Sequence, residues 1–293
     1  MKTNEIVIRD PYVLLWQNRY YMYGTRSLTC WGKADGFDCY VSDDLEEWEG
    51  PIEVFHKPDD FFATEKYWAP ECYAYQGKFY MLATFASETE YTQMYVLSSD
   101  SPTGPFSIHS KRITPEGWAC IDGTIYFEEN VPYLIFSHTF EDVPEGEMWA
   151  VRLREDMRET VGAPFMLFKG NDAEWNCPIP FAKAELGIEG DVYLTDGPGL
   201  VRLKSGKLGM TWSGCGKDGY VVGLAVSDSG KISGPWSQMK DPVYAQNGGH
   251  GMTFEDKQGI RRFVMHSPDT HFAEKPCFKT LIIENETIKF EER

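Results

Sequence analysis

A pattern of paired strands recurs five times along this chain, and it restricts the possible folds more than any single motif does. The segment DPYVLLWQNRYYMYGT begins at Asp10, ECYAYQGKFYMLATF at Glu71 and DGTIYFEENVPYLIFSH at Asp122. DGPGLVRLKSGKLGMTWS begins at Asp196 and HGMTFEDKQGIRRFVMHS at His250. Each opens on a charged or polar residue and continues as an alternating apolar strand. It then turns at QNR, QGK, EEN, KSGK or DKQG and returns as a second strand. The first four units add VSDDLEEWEGP, LSSDSPTGPFS, VRLREDMRETVGAP and VSDSGKISGPWS, each a strand, a charged turn and a Gly-Pro or Gly-Ala-Pro close. From opening residue to closing proline the four units span 34 to 42 residues. Five units of about four strands predict an all-β fold, a five-bladed β-propeller, as one domain over residues 1–293. An antiparallel sandwich with evenly spaced turns is the alternative. LREDMRET is short and charged, so it is expected as a turn between outer strands. The fifth unit has no closing motif, and the strand around Ile6 to Ile8 is expected to complete that blade.

Composition excludes several classes. With 42% apolar and 15% aromatic residues in 293, the chain can bury a sizeable core, which rules out global disorder. Acidic side chains number 45 against 28 basic, a formal charge of −17, and the basic residues are scattered. Nucleic acid and anionic membrane surfaces are therefore not expected as partners. No run approaches the roughly 18–20 apolar residues of a membrane span. The start MKTNEIVIRDPYV has no apolar signal region, which makes a cytoplasmic location the expectation. Seven widely spaced cysteines without a C-x-x-C pair read as reduced, buried thiols rather than disulfides or a zinc site.

In a propeller the innermost strands line a central channel, so equivalent opening residues should face one space. Here they are Asp10, Glu71, Asp122, Asp196 and His250. Any one Asp-Pro or Asp-Gly pair is an ordinary turn, but four acids and a histidine on one axis crowd and shift each other's pKa. Such a set suits glycoside hydrolysis. One carboxylic acid protonates the leaving oxygen, a carboxylate activates water, and a third carboxylate can hold the acid's pKa high. Trp31, Trp68, Trp118 and Trp212 could supply stacking faces for sugar rings or plug the space between blades. His138 and His266 end the third and fifth hairpins at matching places, lining the funnel or satisfied in the core; His266 is counted with the sugar-binding residues.

The motifs RDPYV at 9–13, YWAPE at 67–71, IDGT at 121–124, TDGP at 195–198 and GGHG at 248–251 resemble, in order and spacing, the blade-opening motifs of glycoside hydrolase family 43. That resemblance covers nearly the whole chain. It implies a five-bladed propeller acting with inversion on arabinofuranosides, xylosides or some galactans in oligosaccharides or polysaccharides. It further implies Asp10 as general base, Asp122 as the carboxylate that raises and positions the acid, and Trp68 beside the sugar. His250 would lie near a calcium or other ion in the channel, with no organic cofactor. One motif departs. The family usually has Glu-Gly-Pro with glutamate as general acid, whereas this chain has Asp196-Gly197-Pro198. Aspartate sets the carboxyl roughly 1–1.5 Å back, a displacement that can cost about 100-fold in rate. Three explanations stay open: the backbone advances, Glu71 assists, or the chain is a sugar-binding relic.

Two rival functions follow. A retaining fructosidase-like propeller would use Asp10 and the Glu71-Cys72 pair, but the upstream Asn-Asp-Pro nucleophile motif is missing. A non-catalytic carbohydrate-binding propeller would bind without turnover. Pocket depth depends on the loops at 27–38 and 141–148, and the sugar is implied by resemblance alone.

Overall fold

The computed structural model describes residues 1–292, and its strands form five separate four-stranded antiparallel sheets, each in chain order. Blade 1 comprises β1 (Ile8–Trp16), β2 (Arg19–Arg26), β3 (Gly36–Ser42) and β4 (Trp48–His56). Blade 2 comprises β5 (Glu65–Tyr75), β6 (Lys78–Ser87), β7 (Glu90–Ser99) and β8 (Ser107–Ile108). Blade 3 has β9 (Cys120–Glu128), β10 (Val131–His138), β11 (Glu147–Leu153) and β12 (Thr160–Lys169). Blade 4 has β13 (Asp196–Arg202), β14 (Leu208–Gly216), β15 (Gly219–Ser227) and β16 (Trp236–Gln238). Blade 5 has β17 (Gly249–Glu255), β18 (Arg261–His266), β19 (Pro276–Ile283) and β20 (Ile288–Glu292). The inner strands touch in a ring, β1 to β5, β5 to β9, β9 to β13, β13 to β17 and β17 back to β1. This is a five-bladed propeller, not a sandwich.

Local chemistry sets the inner hairpins. Gln17-Asn18, Gln76-Gly77 and Glu129-Asn130 each place two residues at positive φ, between 46° and 79°. Such two-residue turns match the right-handed twist of the strands they join. They lock the pairs Trp16↔Arg19, Tyr75↔Lys78 and Glu128↔Val131. The charged stretch between Leu153 and Thr160 is the expected outer turn.

The ring closes differently from the expectation. Ile8 starts the inner strand of blade 1, and blade 5 takes its outer strand from the C-terminal residues 288–292. The N-terminal segment instead serves as an apolar seam. Ile6 and Ile8 are buried with Val264 and Phe278 of blade 5, and the Ile8 N–H donates to the Glu274 carbonyl at 3.2 Å. The outer strand IKFEE carries no Gly-Pro signal, which is why the sequence pattern does not reveal it.

Blades pack face to face, so both faces of a strand can be buried. Trp212 is fully buried between blades 3 and 4, its ring 4.5 Å from that of Trp175 and 5.4 Å from Phe168. Its indole N–H donates to Gln238 Oε1 at 3.0 Å. Trp212 thus offers no ring face to a sugar. Trp212→Ala is expected to cost about 3–5 kcal/mol in denaturant unfolding, while Trp31→Ala, at a side chain 61% exposed, changes stability by less than about 0.5 kcal/mol. All seven cysteines are free, as expected, but only four are buried, and Cys177, Cys215 and Cys277 are half-buried. The one α-helix among the described residues, α1 (Ala182–Leu186), lies between blades 3 and 4, and no helix there is long and apolar enough to cross a membrane.

Candidate active site

Each inner strand breaks register near its start, and one residue at each break has left-handed backbone. These are Asp10 (φ 51°), Ala69 (45°), Asp122 (54°), Gly197 (52°) and His250 (47°). They are the true fivefold equivalents, so two positions of the sequence register need correction. Glu71 lies two residues beyond the axial position of blade 2, and Asp196 one residue before that of blade 4. The proline that follows Asp10, Ala69 and Gly197 was the signal that marks this position.

Non-glycine residues pay a cost in this conformation, so it must be held from outside. The second strand of the preceding blade does so. The Ala69 N–H donates to Thr25 Oγ1 (2.8 Å), the Asp122 N–H to Thr84 Oγ1 (3.0 Å) and the His250 N–H to Ser213 Oγ (2.8 Å). At Asp10 the acceptor is a histidine, His266 Nδ1, at 3.2 Å. Ser137 is the matching residue before blade 4 and bonds Thr195 (2.7 Å). His266 therefore corresponds to Ser137, not to His138.

Blades 1, 3, 4 and 5 bring Asp10, Asp122, Asp196 and His250 together. His250 Nδ1 lies 3.4 Å from Asp10 Oδ1 and 3.6 Å from Asp122 Oδ2. Thr25 Oγ1 donates to Asp10 Oδ2 at 2.6 Å, and the Tyr220 hydroxyl donates to Asp196 Oδ1. One ligand atom each from Asp122, Asp196 and His250 lies within 4.8 Å of the others, and all three side chains are buried. Two carboxylates and an imidazole at this spacing are suitable donors, so these residues could hold an ion.

The environments split the carboxyl groups. Burial opposes the charge on Asp10, but His250, His266 and Arg9 together hold it well below the usual carboxylate range. Burial, with the charge of Asp10 added, lifts Asp196 to about 7 against the opposing Tyr220 hydrogen bond. Asp122 is pushed well above its ordinary value by burial and then by Asp196, Asp10 and Glu71. Burial takes His250 down to about 4 despite Asp10, leaving a neutral imidazole at pH 7. An ionised carboxylate thus faces carboxyls that retain protons, the division of labour of a general base and a general acid.

The aromatic residues separate into two sets. Trp31 is exposed, its ring 5.4 Å from half-buried Trp68 and under the Arg9 guanidinium at 5.5 Å. Trp68 is pinned by its indole N–H to the Cys30 carbonyl at 2.8 Å. Trp31 thus stands by Arg9, the neighbour of Asp10, and Trp68 stands beside Trp31 with the Lys66 ammonium 5.4 Å from its ring. Trp118 instead stacks at 4.1 Å on His138, whose ring nitrogens are 2.8 Å from Asp142 and 3.2 Å from Glu147. That histidine is a satisfied structural hub.

Glu71 is buried, accepts the Tyr73 hydroxyl, and is lifted by burial to about 8. Its folded pKa exceeds the ordinary 4.5, so its stability contribution is full below pH 4.5 and is lost as pH rises towards 8. Glu71→Gln should therefore gain about 5 °C in melting temperature relative to wild type between pH 4 and pH 8. A pH-independent difference would contradict this. Sequence reasoning missed Tyr220, Thr25 and Asp269 as site residues; only the recurring hydroxyl at the end of the second strand could have pointed to Thr25.

The model of glycosyl hydrolases family 43 matches residues 4–281. The structure is similar to that of an endo-arabinase from Bacteroides thetaiotaomicron VPI-5482, with 33% identity, 98% of each chain covered and a TM-score of 0.89. It is also similar to an endo-1,4-beta-xylanase from the same organism, at 25% identity and TM-score 0.76 over 100% of this chain and 97% of that one. An alpha-L-arabinofuranosidase from Lactobacillus brevis, at 15% identity and TM-score 0.75 over 100% and 98%, shares the fold. No curated protein matches the sequence. A match over nearly the whole length, on a propeller with acids on its axis, places this glycoside hydrolase in glycosyl hydrolase family 43.

Proposed function

We propose that this enzyme hydrolyses pentose-containing oligosaccharides or polysaccharides with inversion, as an arabinofuranosidase- or xylosidase-class hydrolase. The observation that carries the reading is the split between Asp10, held ionised, and Asp196, held protonated to about pH 7. Asp10 takes a proton from water as the water oxygen bonds to the anomeric carbon. The glycosidic carbon–oxygen bond breaks on the opposite face, and Asp196 gives its proton to the leaving oxygen. Asp10 ends protonated and Asp196 ionised, and exchange with solvent resets both. Asp122, which itself retains a proton, orients Asp196, whose pKa burial and the charge of Asp10 keep high, and Trp31 and Trp68 supply apolar faces for the sugar. A calcium or similar cation held near His250 would add positive charge on the axis, with Asp196 left outside its coordination because a metal-bound carboxylate would lose the proton the acid needs.

Tyr220 supports aspartate in the place of the usual glutamate, because its hydroxyl fixes one oxygen of the shorter side chain. The pentose assignment is supported by likeness to an endo-arabinase and a xylanase. It is tested with arabinofuranosyl, xylosyl and galactosyl aryl glycosides, arabinan and xylan. Turnover of an arabinofuranosyl or xylosyl substrate is expected. Binding of these sugars without any turnover would favour the carbohydrate-binding alternative.

A further inference from the structure

Four of the five blade junctions place a small hydroxyl at the end of the second strand: Thr25, Thr84, Ser137 and Ser213. The fifth places His266 there, and it is the junction that holds Asp10. A hydroxyl suffices to accept the axial N–H, as at Ala69, Asp122 and His250, so the larger side chain needs another reason. His266 is wholly buried and engaged on three sides. Nδ1 accepts the Asp10 N–H and also lies 3.4 Å from Asp10 Oδ1, and Nε2, with the ring proton, is 3.3 Å from Asp269 Oδ1. Asp269 pairs with the Arg9 guanidinium at 2.7 Å, returning the network to the residue beside Asp10. On the ring face, Tyr220 stacks at 5.4 Å and 19°, and its hydroxyl donates to Asp196.

The geometry points to His266, oriented by Asp269, as a positioning residue that fixes Asp10 through its backbone and Asp196 through Tyr220, so that the two carboxyl groups keep one mutual geometry. The inference rests on the acid and base roles given above. It separates His266 from the sugar-binding residues: its ring is fully enclosed, and it acts through Asp10 and Tyr220.

His266→Ser tests it, because a small hydroxyl, serine at Ser213 and threonine at Thr25 and Thr84, is what the sister blades use to hold this backbone. The variant should fold and keep KM within about threefold. Its kcat should fall roughly 10- to 100-fold, the scale of a misplacement of about 1 Å. Asp269→Ala should lower kcat similarly, and Asp269→Asn, whose amide oxygen still accepts from Nε2, should recover most of the loss. Wild-type kcat in His266→Ser would overturn the inference. Should that variant not fold, wild-type kcat in Asp269→Ala, or equal losses in Asp269→Ala and Asp269→Asn, would overturn it. Asp10→Asn measured alongside keeps the two levels apart. If Asp10→Asn retains turnover, the acid–base reading itself falls, whereas an inactive Asp10→Asn with a fully active His266→Ser removes only the positioning role.

Discussion

Asp10→Asn is expected to lower kcat on an aryl pentoside by about 10³-fold or more, near the upper range for loss of a positioned general base. The change is isosteric, and the amide oxygen can still accept from Thr25, whose hydroxyl bonds Asp10 Oδ2 at 2.6 Å. The backbone bond to His266 is untouched, because it uses the Asp10 N–H. The melting temperature should therefore stay within a few degrees of wild type, and steady-state kinetics beside a thermal scan checks both halves. Unchanged turnover would remove Asp10 from the chemistry.

Asp196→Asn should produce a loss that depends on the leaving group. With a poor leaving group the acid's proton is needed, and a fall of about 10²–10⁴-fold is expected. With an activated dinitrophenyl leaving group, the loss should shrink to less than about tenfold. The pH profile carries the same information. Asp196 must be protonated and is lifted to about 7, so wild-type kcat/KM should decline as pH rises through that value. Asp10 is held well below the carboxylate range, so the acid limb should lie at unusually low pH. Asp196→Asn should lose the alkaline limb and keep the acid one. A uniform loss across leaving groups would assign Asp196 a structural role instead.

Much of the fold was legible because turn chemistry is local. Gln17-Asn18, Gln76-Gly77 and Glu129-Asn130 mark their hairpins without reference to the rest of the chain. Asp10, Asp122 and His250 were legible as a converging set because in their blades the charged residue is itself the left-handed one. Blades 2 and 4 misled because the repeat conserves a backbone conformation between blades rather than a side-chain type. Ala69 and Gly197 fill that role there, and the nearby acids Glu71 and Asp196 drew the register away. Trp212 could not be placed because strand alternation does not distinguish a channel face from one packed against the next blade. Tyr220 reaches Asp196 from a strand 24 residues further along, where no spacing rule points to it, and Asp269, though only three residues beyond His266, sits in a loop that carries no repeat motif.

The central claim is that water attacks under Asp10 in the same step in which Asp196 protonates the leaving group. The most direct test is proton NMR of the first-formed sugar anomer, recorded before mutarotation, with whichever pentoside the wild-type enzyme turns over. Net inversion at the anomeric carbon is predicted. Net retention would require a covalent glycosyl-enzyme intermediate and would contradict the assignment of Asp10 as a base acting on water.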